Sequence, residues 1–225
     1  MHKYKKIAIL ADGTYPRTQY PLEILAQADI VICCDASVEK LKGREPNFIV
    51  GDMDTLSPTL QKKYSDIIHK SSCQETNDLT KSFSFALGLI SSAESGEINI
   101  LGATGCREDH SLGNISLLAE YAKNVNDTIP PFNNKMRDDI KTSIVTDYGI
   151  FTAYNNSVKL NAPVGSQISI FAFDNSLKIK SHGLEYPTDN VTFDMWWKAT
   201  LNKTTQESVT LDFNHPSTIL IYRPF

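Results

Sequence analysis

The residues best able to do chemistry in this chain are carboxylates, and they recur in short loops. Asp52 and Asp54 lie two apart in Gly51-Asp52-Met53-Asp54-Thr55. In a loop such a pair can point into one site, whereas on a helix the two would face different ways. Asp12 precedes Gly13, Asp35 precedes Ala36-Ser37, Asp78 closes Gln74-Glu75-Thr76-Asn77-Asp78, and Asp109 lies in the stretch from Gly102 to His110. Taken singly, each such Asp also suits a turn or a helix N-cap. Gathered on one rim, however, they would repel one another unless a cation sat among them. No His or Cys cluster lies beside them, so the donors are oxygens and Mg²⁺ fits better than zinc or iron. Magnesium among carboxylates in turn implies a phosphorylated co-substrate, whose charge the ion offsets. The loop Gly102-Ala103-Thr104-Gly105 ahead of a helix can offer backbone N–H groups to phosphate, and Arg107 can clamp one bidentately. It lacks the Gly-Lys-Ser/Thr of a Walker A loop.

The elements that must position these residues change character along the chain. Up to about Lys123, apolar runs at Lys5 to Leu10, Ile30 to Cys34, Phe48 to Val50, Ile67 to His69 and Ile98 to Leu101 read as buried strands. Helices are expected between them at Pro21 to Ala28, Val38 to Leu41, Pro58 to Tyr64 and Asp78 to Ile90, with another from Leu112 to Lys123. Such alternation implies crossover units and a mostly parallel sheet covered on both faces. In an open parallel sheet the ligand sits outside the carboxyl ends of the strands, and that is where these acidic and Gly-rich loops fall. Residues Asn124 to Lys141, with Pro130-Pro131, read as a linker or long loop. From Thr142 on, short alternating stretches separated by Asn, Asp, Gly and Pro turns read as a small antiparallel sandwich. The expected fold is therefore α/β, with an N-terminal Rossmann-like parallel sheet flanked by helices and a smaller C-terminal all-β sandwich. The boundary is expected near residues 140 and 141.

Composition narrows the function classes. The chain has 225 residues, 41% hydrophobic and 21% charged, which excludes collagen-like, low-complexity and disordered classes. A net charge of −4, with no basic cluster beyond Lys3, Lys5 and Lys6, argues against nucleic acid as a partner. No apolar run approaches a membrane span or a signal-peptide core, so no membrane partner and a cytoplasmic location are expected. Cys33, Cys34, Cys73 and Cys106 show no C-x-x-C spacing and are read as reduced, mostly buried thiols.

Taken in order, the motifs resemble those of the thiamine pyrophosphokinase family over nearly the whole chain. Asp35, Gly51-Asp52-Met53-Asp54-Thr55, Glu75-Thr76-Asn77-Asp78, and Gly105-Cys106-Arg107-Glu108-Asp109-His110 with Asn114 look like its N-terminal elements. Gly183-Leu184-Glu185-Tyr186-Pro187 and Ala199-Thr200-Leu201-Asn202 look like its C-terminal ones, with Leu201 standing where the family carries Ser. The resemblance implies transfer of a diphosphate group from ATP to thiamine, giving thiamine diphosphate and AMP. On that reading Asp52, Asp54 and Asp78 hold Mg²⁺, and Asp109 is a further ligand or the general base. Asp35, Gln74, Gly102, Thr104, Gly105, Arg107 and His110 would contact ATP or its phosphates, with Lys81 a further candidate. Tyr186, Trp196, Trp197, Thr200 and Asn202 would meet thiamine, a cation with flat rings that an aromatic face can support. The family also implies a homodimer with shared active sites.

Two other readings compete with this one. A two-metal phosphoesterase could use Asp52, Asp54 and Asp109-His110, although Ser111 occupies the place of an adjacent second His. A non-catalytic nucleotide or vitamin sensor is the other, but a sensor has no need to assemble so many repelling acids. Magnesium-dependent AMP release separates all three.

Overall fold

A computed structural model of the chain describes residues 3–92, 94–123 and 127–225. The chain divides into two compact units. One holds the described residues up to Leu117 and those from Asp127 to Asp147, and the other holds Leu118–Lys123 and Tyr148–Phe225.

The first unit is built on strands β1 (Lys3–Leu10), β2 (Ile30–Cys34), β3 (Phe48–Gly51), β4 (Ile68–Lys70) and β5 (Glu94–Leu101). After a two-residue hairpin, β6 (Thr128–Ile129) and β7 (Asn134–Lys135), comes β8 (Ile140–Val145). Apart from the hairpin, all of these pair in parallel, in the order β8-β5-β1-β2-β3-β4. Ile9, Leu10, Val31, Ile32, Ile49, Val50, Ile98 and Ile100 are fully buried, which explains why these strands read as continuous apolar runs. The crossovers carry α1 (Gln19–Gln27), a 3-10 turn at Asp35–Lys40, α2 (Pro58–Lys63), α3 (Asp78–Gly88) and α4 (Glu108–Lys123). Register pairs Leu10 with both Cys33 and Leu101, and Cys34 with Val50, so the loops after β1, β2, β3 and β5 open on one rim.

Three details differ from the sequence reading. β8 pairs in parallel with β5 in the first unit, although the sequence places its residues at the start of the C-terminal half. The stretch read as a linker carries β6, β7 and the start of β8, while its first residues, 124–126, lie outside the described residues. Helix α4 begins at Glu108, four residues earlier than expected, so Asp109 and His110 belong to its first turn. Two acids there complement the positive end of the helix.

The second unit contains β9 (Gly149–Tyr154), β10 (Val158–Asn161), β11 (Gln167–Ala172), β12 (Ile179–His182), β13 (Ala199–Lys203), β14 (Ser208–Phe213) and β15 (Ile219–Pro224). They form two antiparallel layers, β13-β11-β15-β9 and β10-β14-β12. Leu160, Ile168, Ile170, Leu177, Ile179, Val209, Leu211, Ile219 and Ile221 fill one core. This is the sandwich that the alternation implied. Among the described residues no helix is long and apolar enough to cross a membrane. All four cysteines are free, with Cys33 and Cys34 buried, Cys73 half-buried and Cys106 exposed.

Candidate active site

Two strand ends and one helix start bring three carboxylates together. Asp35 follows β2 directly, and its φ of +43° turns the chain sharply into the 3-10 turn. The side chain is buried. Asp52 follows β3, and Met53, with φ of +66°, reverses the chain behind it. Asp78 opens α3, where Asn77 caps the helix by accepting the Thr80 N–H at 2.8 Å. One oxygen from each of Asp35, Asp52 and Asp78 lies within 4.8 Å of the others.

Lys81, one helical turn beyond Asp78, points into this cluster. Its Nζ donates to Asp78 Oδ1 at 2.9 Å and to Asp52 Oδ2 at 3.2 Å, and its side chain is only 2% exposed. Burial alone would lower its pKa, but the two acids hold the ammonium above the usual lysine range. Burial likewise pushes Asp52 up, yet the Asp54 N–H and Lys81 outweigh it and keep the carboxyl below the ordinary range. Asp35 goes the other way, because burial raises it and its acidic neighbours Asp78 and Asp52 add to the rise, against hydrogen bonds from Thr55. Its Oδ1 is buried without a hydrogen-bond partner, while Oδ2 accepts the Thr55 N–H at 3.5 Å. A buried carboxylate oxygen left unmet is costly. A cation beside it would remove that cost, and an all-oxygen set of three carboxylates suits Mg²⁺.

Asp54, paired with Asp52 in the sequence reading, does not join this group. The reversal at Met53 turns Asp52 inward and leaves Asp54 exposed, its N–H donating back to Asp52 Oδ1 at 3.2 Å. Asp12 is likewise engaged elsewhere, with its carboxylate 2.6 Å from Lys40 Nζ.

The glycine loop after β5 is tied to the loop after β1. Gly13 N–H donates to the Gly102 carbonyl at 2.7 Å, and Thr14 N–H to the Thr104 carbonyl at 2.8 Å. Gly102 and Gly105 hold φ of +63° and +95°, a region that favours glycine. Asn114 on α4 donates to the Ala103 carbonyl at 2.8 Å, fixing the loop from its other side. Arg107 and Asp109 form an exposed bidentate pair at 3.0 and 2.6 Å. The Arg107 guanidinium, helped by the His110 N–H, holds the Asp109 carboxyl down to about 2. The His110 and Gln74 side chains are exposed.

In the second unit Tyr186, Trp196, Trp197 and Leu201 form a set of exposed large apolar side chains. Trp196 packs edge-on against Phe173, with centroids 5.7 Å apart, and Lys198 Nζ lies 5.0 Å over the Trp197 ring. Thr200 Oγ1 donates to the Trp197 carbonyl at 2.8 Å. Asn202 is buried and acts as a backbone clamp, accepting the Tyr186 N–H at 3.1 Å and donating to the Tyr186 carbonyl at 2.7 Å. Asn202→Ala leaves both Tyr186 backbone groups without this partner and a gap at a buried site, and is expected to lower stability by about 2–3 kcal/mol. Calorimetry checks this as a fall in Tm of about 4–12 °C.

Lys81, the cation at the centre of the acidic cluster, is the residue that sequence reasoning reached only as an added candidate. The available signal was its i+3 spacing from Asp78, which puts both on one face of α3.

Comparison with known proteins places these features in a family. The model for "Thiamin pyrophosphokinase, catalytic domain" matches residues 22–129, and that for "Thiamin pyrophosphokinase, substrate-binding domain" matches residues 149–222. Thiamine pyrophosphokinase 1 of Oryza sativa subsp. japonica is 37% identical over 84 residues, which cover 35% of this chain and 32% of the rice protein. The alignment thus spans about a third of that relative. Two solved structures share the fold at low identity. Thiamine pyrophosphokinase from Bacillus subtilis gives a TM-score of 0.73 at 20% identity, covering 98% of this chain and 99% of that one. Thiamin pyrophosphokinase from Candida albicans gives 0.75 at 16%, covering 100% and 93%. With both of the family's domains matched in order, the chain belongs to the thiamin pyrophosphokinase family.

Proposed function

We propose that this chain catalyses transfer of a diphosphate group from ATP to the hydroxyethyl oxygen of thiamine. The observation that carries the proposal is the convergence of Asp35, Asp52 and Asp78 on one rim of a parallel sheet, with an unmet Asp35 oxygen facing a shortage of positive charge. In the reaction the thiamine hydroxyl oxygen bonds to the β-phosphorus of ATP. The bond from that phosphorus to the oxygen bridging it to the α-phosphorus breaks, AMP leaves, and the hydroxyl proton passes to a base.

The protein's task in such chemistry is positioning and charge stabilisation. Asp35, Asp52 and Asp78 would hold Mg²⁺, which when bound neutralises phosphate charge. Asp54, exposed beside them, could accept a hydrogen bond from substrate. The N–H groups of the Gly102 to Gly105 loop would cradle phosphate oxygens, with Gln74 from the loop before α3 and His110 from the first turn of α4 as further contacts. Arg107 offers a planar fork suited to phosphate. While paired with Arg107, Asp109 is a weak base, and a move of Arg107 from Asp109 to a phosphate would restore its basicity. Tyr186, Trp196 and Trp197 would support the thiamine cation, with Thr200 and Asn202 shaping the segment around them. The same exposed aromatic side chains favour pairing of two chains, so a homodimer with shared active sites belongs to the proposal. A cytoplasmic location is part of it too.

Purified protein incubated with ATP, Mg²⁺ and thiamine tests the reading. AMP and thiamine diphosphate in equal amounts are expected, with neither formed in EDTA. Inorganic phosphate would favour a phosphoesterase, and binding without product would favour a sensor.

A further inference from the structure

We propose that Lys81 is a positioning residue that serves as the resident counter-cation of the carboxylate cluster, standing in for the dication when none is bound. The proposal rests on reading Asp35, Asp52 and Asp78 as the dication site. A lysine side chain only 2% exposed is rare unless it is paired. Here the ammonium binds two acids from different segments, Asp52 after β3 and Asp78 on α3. So buried and so committed, it is poorly placed to reach a phosphate. Asp35, the third acid, keeps one buried oxygen without a hydrogen-bond partner.

The lysine thus resolves part of the repulsion and leaves the remainder to an exchangeable ion. If all four groups are charged, the cluster carries a formal −2, the charge that a dication cancels. Without Lys81 the three acids would face one another with no positive charge among them, and folding would come to depend on the ion. A lysine that merely filled space would create no such dependence, since Met offers a similar stem.

Thermal unfolding of the full chain in EDTA and in saturating Mg²⁺ tests this with wild type, Lys81→Met and Lys81→Met/Asp52→Asn. In EDTA, Lys81→Met is expected to melt about 5–10 °C below wild type. Mg²⁺ should return at least half of that loss, raising this variant more than it raises wild type. In EDTA, Asp52→Asn in the same background should also recover part of the loss, because it removes one of the repelling charges. A fall in Tm that neither Mg²⁺ nor Asp52→Asn relieves, while Mg²⁺ still binds wild type, would overturn the role of Lys81 and leave the metal site standing. Recovery with Asp52→Asn in the absence of any Mg²⁺ effect on any variant would instead remove the dication reading and the stand-in with it. Should Lys81→Met fail to fold in EDTA, the double variant decides: folded supports the proposal, unfolded contradicts it.

Discussion

On the proposed reaction, Asp78→Asn is expected to lower kcat at least about 1000-fold while leaving the fold intact, because it removes a charge from the carboxylate cluster but little buried packing. Asp78 has a side chain 36% exposed, and Lys81 retains Asp52 as a partner. Far-UV circular dichroism should match wild type, with Tm changed by only a few degrees. The rate loss should persist at saturating ATP and thiamine, since the missing charge acts on the transition state rather than on substrate capture. Near-normal turnover in a folded Asp78→Asn protein would remove this residue from the centre.

Gly13→Ala is expected to cut kcat/KM for ATP by about 100-fold, through the loop it holds rather than through any contact of its own. A Cβ on Gly13 would lie 2.3 Å from the Gly102 carbonyl oxygen and 2.6 Å from that of Thr104. Both are backbone atoms, so the loops after β1 and β5 must move apart, breaking the bond from Gly13 N–H to the Gly102 carbonyl. A stability loss of about 1–3 kcal/mol should accompany the change. Gly113→Ala is the control, because a Cβ there meets nothing within 4 Å and the residue lies inside α4. It should be neutral or stabilising by up to about 1 kcal/mol. Equal kinetics for the two variants would show that the loop is not held where phosphate would bind.

Much of this was legible in the residues, because burial on both faces leaves unbroken apolar runs such as Ile30 to Cys34 and Ile98 to Leu101. Acids placed just after those runs fall on one rim whenever the strands are parallel. What the spacing could not show was which acids converge. Asp52 and Asp54 look equivalent in sequence, but the left-handed backbone at Met53 separates them, while the sharp turn at Asp35 brings in a third acid from another strand.

In two strands of the second unit, β12 and β13, the apolar alternation is interrupted. Each puts a polar residue at an inward position. Buried Ser181 accepts the Thr188 N–H at 2.9 Å, and buried Asn202 clamps Tyr186. A polar side chain satisfied by backbone breaks the apolar alternation without breaking the strand. The parallel strand β8 does not read as a continuous apolar run because Lys141, Thr142 and Ser143 separate its buried Ile140 from Ile144 and Val145, so its sequence groups with the antiparallel strands after it.

The most direct test of the account is Mn²⁺ binding, followed by the electron paramagnetic resonance signal of the free ion, in wild type, Asp35→Asn and Asp54→Asn. One ion per chain is expected in wild type. Asp35→Asn should weaken it at least about tenfold, since it replaces a charged oxygen ligand with a neutral amide. Asp54→Asn should bind nearly as tightly as wild type. Because burial raises the Asp35 pKa, wild-type affinity should also fall as the pH drops through the upper carboxylate range, where this acid takes up its proton first. Undiminished Mn²⁺ binding by Asp35→Asn, with loss in Asp54→Asn, would contradict the site described here.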